Sequence, residues 1–567
     1  MTQPLDALIV GAGPTGLTLA ALLARHGLTF RIIDRNGGPS GESRATDMHV
    51  RTLELFAHLG IARRLIACGR RAHRVNFHGA DGPIAQLDIT ALDTPYPFIL
   101  GIPQDATERI LLDELLSFGH RGVERDTCLT DLRQPDDPDA PVTATVTGPG
   151  GHHEAIEARW LIGCDGASST VRQLLALPFA GVTYPEAFML ADIDIDWALP
   201  RDELHTFFSP TGFVTVLPMP GERTVRLFVD LPEGQQERQP DLDTFRALFA
   251  ERVPAPAALH TPGWMSRFRV HRRMVPRYQV GRVFLAGDAA HIHSPVGGQG
   301  MNTGVQDAFN LAWKLALVAR GHAPTALLDS YHAERHPVGA MTLLETDVAT
   351  RMSTLRDPTV CWLRDRLSAM TMSLAGLSHL IAQVTAELHV NVRSSPIVAA
   401  SRSSLLAAEV VHNPDTEHAS VAEWLEFGWG PEAGDRAPDR AFGPAHHKRD
   451  FHTLLGGTHH ALMLFDGAAT TNDGYANLAR IAAAVRQRFG HVVHVHVAVP
   501  RPDAPASLLN EPSLLRDPEG DLHCAFGARA ECAYLIRPDG YIAWRSQPAA
   551  LEPILAYLSR HFRAVAR

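Results

Sequence analysis

VFLAGDAAHIHSPVGGQGMNTG, residues 283–304, decides how the rest of the chain is read. Val283–Ala286 forms a short apolar strand that stops at Gly287-Asp288. A loop with Pro295, Gly297, Gly298 and Gly300 follows. Beyond it, the spacing of Val305, Ala308, Phe309, Ala312, Leu315 and Ala316 predicts a helix over Met301–Arg320, ended by Gly321. A carboxylate at a strand end before a glycine-rich helix start makes a particular kind of polar pocket. Asp288 can accept hydrogen bonds from ligand hydroxyls. The first helical N–H groups, around Gly300, Met301 and Asn302, can face a group that carries or develops negative charge. Alone, the stretch is also readable as an ordinary strand–loop–helix connection.

The N-terminus supplies a matching half. Ala7–Val10 reads as a buried strand, GAGPTG (residues 11–16) as the turn after it, and Phe30–Asp34 as the next strand. Gly11 and Gly13 allow a tight turn and close backbone approach to a pyrophosphate, and Gly16 lets the following helix lie on the strand. Asp34 can hold ribose hydroxyls, and Arg35 beside it is grouped with these residues. Arg44, in the loop Ser43-Arg44-Ala45, can pair with a pyrophosphate or simply be a solvated loop arginine. Gln104 opens an amphipathic helix and joins the cofactor-binding set. Arg159–Arg172 repeats the theme, an apolar strand ending at Asp165-Gly166 before a helix. Strand ends at Val10, Ile162 and Leu285 thus deliver glycine-rich turns, and one dinucleotide site at the carboxyl ends of a parallel sheet accounts for all three.

These motifs, with LLDSYHAERHPV (residues 327–338), resemble the FAD motifs of the single-component aromatic hydroxylases, flavoprotein monooxygenases of the para-hydroxybenzoate hydroxylase fold. Within that family the phenol hydroxylase and pentachlorophenol monooxygenase group is most similar. The resemblance implies an α/β chain: a Rossmann-like FAD-binding fold with an inserted, mostly antiparallel substrate-binding sheet, and a C-terminal thioredoxin-like α/β domain. The expected divisions are 1–180 (FAD-binding, first part), 181–275 (inserted sheet), 276–393 (FAD-binding and helical), 394–440 (linker) and 441–567 (thioredoxin-like). It implies FAD as prosthetic group, NADPH (or NADH) as transient co-substrate, and O2, with an aromatic ring hydroxylated through a flavin C4a-hydroperoxide. A substituted phenol is the expected substrate, and a polycyclic aromatic polyketide or antibiotic the alternative. A second G-x-G-x-x-G is absent, so the nicotinamide cofactor is expected to dock on the FAD domain. The WxWxIP segment and pocket lysine of the flavin halogenases are not apparent. A flavin-binding scaffold without turnover is the reading from another class, and three intact motifs weigh against it.

Between the second and third motifs the periodicity becomes that of strands: His205–Phe208, Gly212–Pro218 and Thr224–Leu231, separated by Pro and Gly turns. His205 and Arg226 on this sheet are candidates to withdraw a phenolic proton, with Tyr278 a third, although each residue type is more often structural. The Pro295–Gly298 loop is expected to line the side where oxygen adds, which makes Pro295 a catalytic candidate. Arg267, Arg269, Arg272 and Arg273 can attract NADPH phosphates or be solvated surface charge. Leu355–Val392 has helical spacing, Ser394–Asp439 reads as a linker, and strands and helices alternate from Ala461 to Phe562. That last segment offers only Cys524 and Cys532, outside any CxxC, so no redox role is expected of it.

A net charge of −10 and a pI near 6.3 argue against a general nucleic-acid binder. No apolar run is long enough to span a bilayer, and the N-terminus shows no leader pattern, so a cytoplasmic protein without a membrane partner is expected. Six scattered cysteines and thirty histidines form no metal-ligand spacing, so no metal is expected. The expected partners are a small aromatic substrate and O2, with a homodimer left open.

Overall fold

Four strands, buried on both faces toward their carboxyl ends, run parallel in the order Val283–Leu285, His153–Gly163, Leu5–Val10, Phe30–Ile33. The computed structural model describes residues 4–39, 45–137, 140–231, 234–402, 427–443, 448–467 and 474–565. The carboxyl ends of the four strands fall in one row: Ile33 pairs with Val10, Val10 with Gly163, and Gly163 with Leu285. The three glycine-rich turns therefore emerge side by side. The helices Pro14–Arg25 and Gln299–Ala319 pack against each other beside this sheet. The second is buried on nearly every side, including the polar side chains of Asn302, Gln306, Asp307, Asn310 and Lys314.

The sheet expected between residues 181 and 275 has eight strands and reaches beyond those bounds. The hairpin Arg74–Gly79/Gly82–Asp88, assigned above to the first FAD-binding part, forms one end of this sheet. It is joined by parallel pairing of Arg74–Gly79 with Glu203–Ser209. Ala180–Trp197, Thr224–Leu231, Gly212–Pro218 and Glu203–Ser209 follow one another antiparallel, and Ala257–Met274 pairs with the first of them. Period-two alternation sorts the side chains. Met189, Ile193, Val214, Val216 and Leu227 face the helix Leu242–Arg252, where Phe245, Leu248 and Phe249 complete a core. Tyr184, Phe188, Phe213 and Phe228 form the opposite, aromatic face, and Val296 of the residue 283–304 stretch packs on it.

The C-terminal sheet runs Ala399–Arg402, Ile542–Gln547, Cys532–Ile536, His460–Phe465, Val493–Val499, Leu514–Arg516. Its first strand comes from the expected linker, pairing parallel with Ile542–Gln547; residues 403–426 of that linker lie outside the described residues. His460–Phe465 and Val493–Val499 are parallel across the helix Gly474–Phe489, and Cys532–Ile536 and Ile542–Gln547 form an antiparallel hairpin. Cys532 is buried and its thiol pushed well up by that burial, while Cys524 is exposed. Among the described residues no single helix is long and apolar enough to cross a membrane.

Candidate active site

The glycine corners touch. Gly11 has φ +102°, and a Cβ there would lie 2.4 Å from the Cys164 carbonyl oxygen, so the first and second turns meet backbone to backbone. Asp34 pins the first turn, its Oδ2 accepting from the Ala12 N–H at 2.7 Å and its Oδ1 from the Asn36 N–H at 2.8 Å. Beside Gly13 the space is open, with no atom within 4 Å of where a Cβ would stand. Asp165 is engaged within the protein: its carboxylate accepts from Ser169 Oγ at 2.5 Å and from the N–H groups of Thr170 and Val171. Burial nonetheless raises its carboxyl, against those bonds. Gln104 is likewise engaged, accepting from the Ala45 N–H and donating to Glu108. Arg35 is exposed, and Arg44 lies outside the described residues.

At the third corner the Asp288 carboxylate is exposed between buried Gly287 and Ala289. Sequence reasoning missed what stands behind it. Asp307, one side chain inside the long helix, accepts from the Gly287 N–H at 3.0 Å, from Arg335 Nε at 2.7 Å and from His291 Nε2 at 2.8 Å. Burial opposes its charge, but Arg335 and His291 outweigh it and keep the carboxyl below its ordinary range. The candidate Tyr278 belongs to this rear layer, fully buried and stacked on His291, its phenol pushed well up by burial.

The helix Gln299–Ala319 starts without a side-chain cap. Its N-cap is Gly298 at φ +68°, where a Cβ would stand 2.6 Å from Asp47 Cβ. Pro295 closes the turn before it, its carbonyl accepting from the Gly298 N–H at 2.9 Å. Met301 is buried in the core. The Asn302 amide is spent on protein, donating to the carbonyls of Asp47 and Gly298 and accepting from the His49 N–H, so it fastens residues 47–49 to the helix start.

Arg226 lies on the aromatic face. It makes a two-pronged pair with Asp192 at 2.7 Å and 2.7 Å, donates to Thr46 Oγ1 at 3.3 Å, and its guanidinium sits 5.3 Å from the centroid of the Trp264 ring. Thr46 in turn donates to Asp47, so one polar chain runs from the sheet to the helix start. His205 is placed differently from expectation. It shares the opposite face with Phe207, lies edge-on to Trp197, and its ring bonds His78 and the Pro200 carbonyl at 3.2 Å each. Burial lowers its pKa, and burial with His205 lowers that of His78 to about 4. The parity of the strand explains this: one residue either way would have turned His205 to the aromatic side. His205→Gln is expected to lower the melting temperature while leaving kcat/KM within about threefold; a tenfold loss of kcat/KM in a variant that melts normally would contradict the placement. The basic segment is also less free than it reads, because Arg267 and Arg269 approach Glu237 and Arg272 pairs with Asp347 at 2.7 Å.

Comparison with known proteins adds the chemistry. Residues 4–346 match the FAD binding domain family and residues 430–564 the aromatic-ring hydroxylase C-terminal family. The chain is 35% identical to a 6-methylpretetramide 4-monooxygenase of Streptomyces rimosus, covering 97% of this chain and 92% of that one. It is 34% identical to a pentachlorophenol 4-monooxygenase of Sphingobium chlorophenolicum, covering 95% and 93%. The crystal structure of aklavinone-11 hydroxylase with FAD and aklavinone superposes with TM-score 0.73 at 26% identity, over 99% of both chains. With its strand ends, glycine corners and aromatic-faced sheet in this arrangement, the chain belongs to the FAD-dependent aromatic-ring hydroxylases and is a flavoprotein monooxygenase that uses NAD(P)H.

Proposed function

We propose that the chain hydroxylates a phenolic ring with O2, in a chamber between the Pro295–Gly298 turn and the aromatic face of the eight-stranded sheet. The observation that carries this is the packing of Val296 on that face, beside the only described arginine–carboxylate pair reaching from the sheet to residue 46. Gly11 and Gly13 would receive the FAD pyrophosphate, with Gly16 letting the helix close on the first turn, where a Cβ would stand 2.0 Å from the Gly11 carbonyl oxygen; Asp34 and Arg35 would take the adenosine end, and Asp288 the ribityl hydroxyls. The open space at Gly13, the exposed Asp288 carboxylate and the uncapped helix start suit those roles. Bound there, FAD supplies the electrons and the oxygen activation. The N-terminus of Gln299–Ala319 would stabilise negative charge on the ring system, an effect of ~0.3–1 kcal/mol at a surface and more when partly buried. The tightly packed aromatic face excludes water. Arg226, its charge balanced by Asp192, would orient the substrate hydroxyl rather than bind a free carboxylate.

A substituted phenol is the first reading. A fused polycyclic phenol is the second, favoured by the near full-length similarity to the 6-methylpretetramide enzyme. Both are tested by a panel of simple and polycyclic phenols, scored by stimulated NADPH consumption and by a product heavier by one oxygen. Arg226→Lys, which keeps the charge but loses the planar fork, is expected to lower kcat/KM roughly tenfold or more. The proposal falls if no phenol accelerates NADPH oxidation above the basal rate.

A further inference from the structure

Two acids meet at one end of the C-terminal sheet. Asp466 follows the strand His460–Phe465, and Glu531 precedes Cys532–Ile536. These strands run antiparallel and Phe465 faces Cys532 at their last rung, so Asp466 and Glu531 stand opposite each other one step beyond it. The chains stay close there, since a Cβ on Gly467 would lie 2.6 Å from the Arg529 carbonyl oxygen. Asp466 has no solvent exposure, and among the described residues neither of its carboxylate oxygens accepts a hydrogen bond. Glu531 is half-buried and accepts from Asn477 Nδ2 at 2.7 Å.

The described charged and titratable groups that face the pair are Tyr475 and Arg480 from the helix Gly474–Phe489, Arg501 beyond Val493–Val499, and Cys532 next to Glu531. Burial draws Asp466 up to about 7, against the opposite pull of Tyr475 and Arg501. Burial first and Asp466 second draw Glu531 up to about 8, against Asn477 and Arg480. Burial also pushes up the Tyr475 hydroxyl and the Cys532 thiol, so both stay neutral. Like charges directly opposite each other on paired strands repel, and a buried carboxylate without donors is less stable than its protonated form. The corner therefore favours a protonated pair over two carboxylates.

The same strand reaches the flavin-binding half. Cys532–Ile536 has Glu531 at one end and Arg537 at the other, and Arg537 pairs at 2.8 Å with the buried Glu334 of the helix Asp329–Ser353. We infer that Asp466 and Glu531 form a proton-held latch: while the pair keeps a proton the strand ends lie together, and its loss loosens the hairpin that braces the flavin-binding helices. A carboxyl whose folded pKa is raised gives its full stability below the unfolded value of about 4, and that contribution is lost as pH rises through the folded value. For this pair the loss is complete above about pH 8.

Hydrogen exchange of the FAD-loaded full chain from about pH 5 to about pH 9 tests this, read by mass spectrometry on peptides covering the two strands and corrected for intrinsic rates. Opening of the wild-type strands is expected to grow by up to about tenfold per pH unit for each proton the pair sheds, and to level off above about pH 8. Asp466→Asn and Glu531→Gln, each replacing one acid by a neutral amide, are expected to flatten that slope, and the double variant to abolish it with flavin absorbance retained. Wild-type opening that does not change with pH overturns the inference, and so does a slope in Asp466→Asn or Glu531→Gln equal to that of wild type. Protection that is lost at pH 6 on adding a chelator overturns it too, because a cation rather than a proton would then hold the pair. Since wild type alone must show the slope, a variant that fails to fold does not shelter the proposal.

Discussion

Glu334→Ala is expected to destabilise the folded chain by about 3–5 kcal/mol, the cost of stranding buried charge. Glu334 has no solvent exposure and accepts five hydrogen bonds: two from Arg537 at 2.8 Å, one from Lys314 at 2.8 Å, one from Asn310 and one from Ser395. Arg537 also pairs with Asp539, which takes the Trp313 indole N–H at 3.1 Å. Two cations and two carboxylates thus balance inside a dry contact between the C-terminal hairpin turn and the helices Gln299–Ala319 and Asp329–Ser353. Burial draws Lys314 down to about 8 against the pull of Glu334. Burial also opposes ionisation of Glu334, but Arg537 and Lys314 outweigh it and hold the carboxyl well below its ordinary range. A carboxyl with a depressed folded pKa contributes stability above its unfolded value, and that contribution is lost as pH falls toward the folded one. Glu334→Ala should therefore lower the urea midpoint at neutral pH and flatten the acid limb of the stability curve. A loss under about 1 kcal/mol, or an unchanged acid limb, would mean that the cations left behind are relieved in another way and that Glu334 does not hold this contact. A C-terminal unit without paired thiols would then need another explanation than holding the flavin-binding helices in place.

How much of this was legible beforehand depends on how far apart the interacting residues lie. The row of strand ends was readable because each glycine turn follows its own apolar strand within a few residues, and the structure brings Val10, Gly163 and Leu285 into register. Of the buried network, Lys314 falls in the helix expected over Met301–Arg320, Glu334 in the stretch 327–338, and Arg537 and Asp539 in the alternating segment from Ala461 to Phe562. Their pairing spans 203 residues, and no local spacing encodes that. The hairpin 74–88 escaped for a related reason, since its partner strand begins at Glu203. His205 failed on parity: alternation separates two faces but does not say which one meets the cofactor domain. Arg226, on the alternate set, falls on the aromatic side with Trp264. Asp165 and Asn302 were recognised as positions, but their side chains bond to backbone a few residues away or across the site. A sequence motif cannot distinguish such work from ligand contact.

Gly298→Ala is expected to weaken FAD retention by tenfold or more, with Gly297→Ala costing far less. Both residues have positive φ, +92° at Gly297 and +68° at Gly298, so alanine at either one bears a conformational penalty of about 1–2 kcal/mol. Only the second meets an obstacle. Nothing lies within 4 Å of a Cβ at Gly297, whereas at Gly298 it would stand 2.6 Å from Asp47 Cβ and 2.7 Å from its carboxylate. Asp47 cannot withdraw freely, because its carbonyl is held by Asn302 and its carboxylate accepts from Thr46, which Arg226 bonds in turn. Displacing it shifts the N-terminus of Gln299–Ala319, where the flavin ring is proposed to lie, and the Arg226 end of the chamber together. Comparison of FAD dissociation in the two variants, followed by flavin fluorescence, separates contact from strain. Equal losses would show that backbone strain alone operates and that Asp47 is not a gauge of the helix start. The compensating Asp47→Gly/Gly298→Ala variant removes the obstructing Cβ and should recover affinity toward that of Gly297→Ala, but without restoring the full rate, since the polar chain from Thr46 to Arg226 would no longer be anchored at its far end.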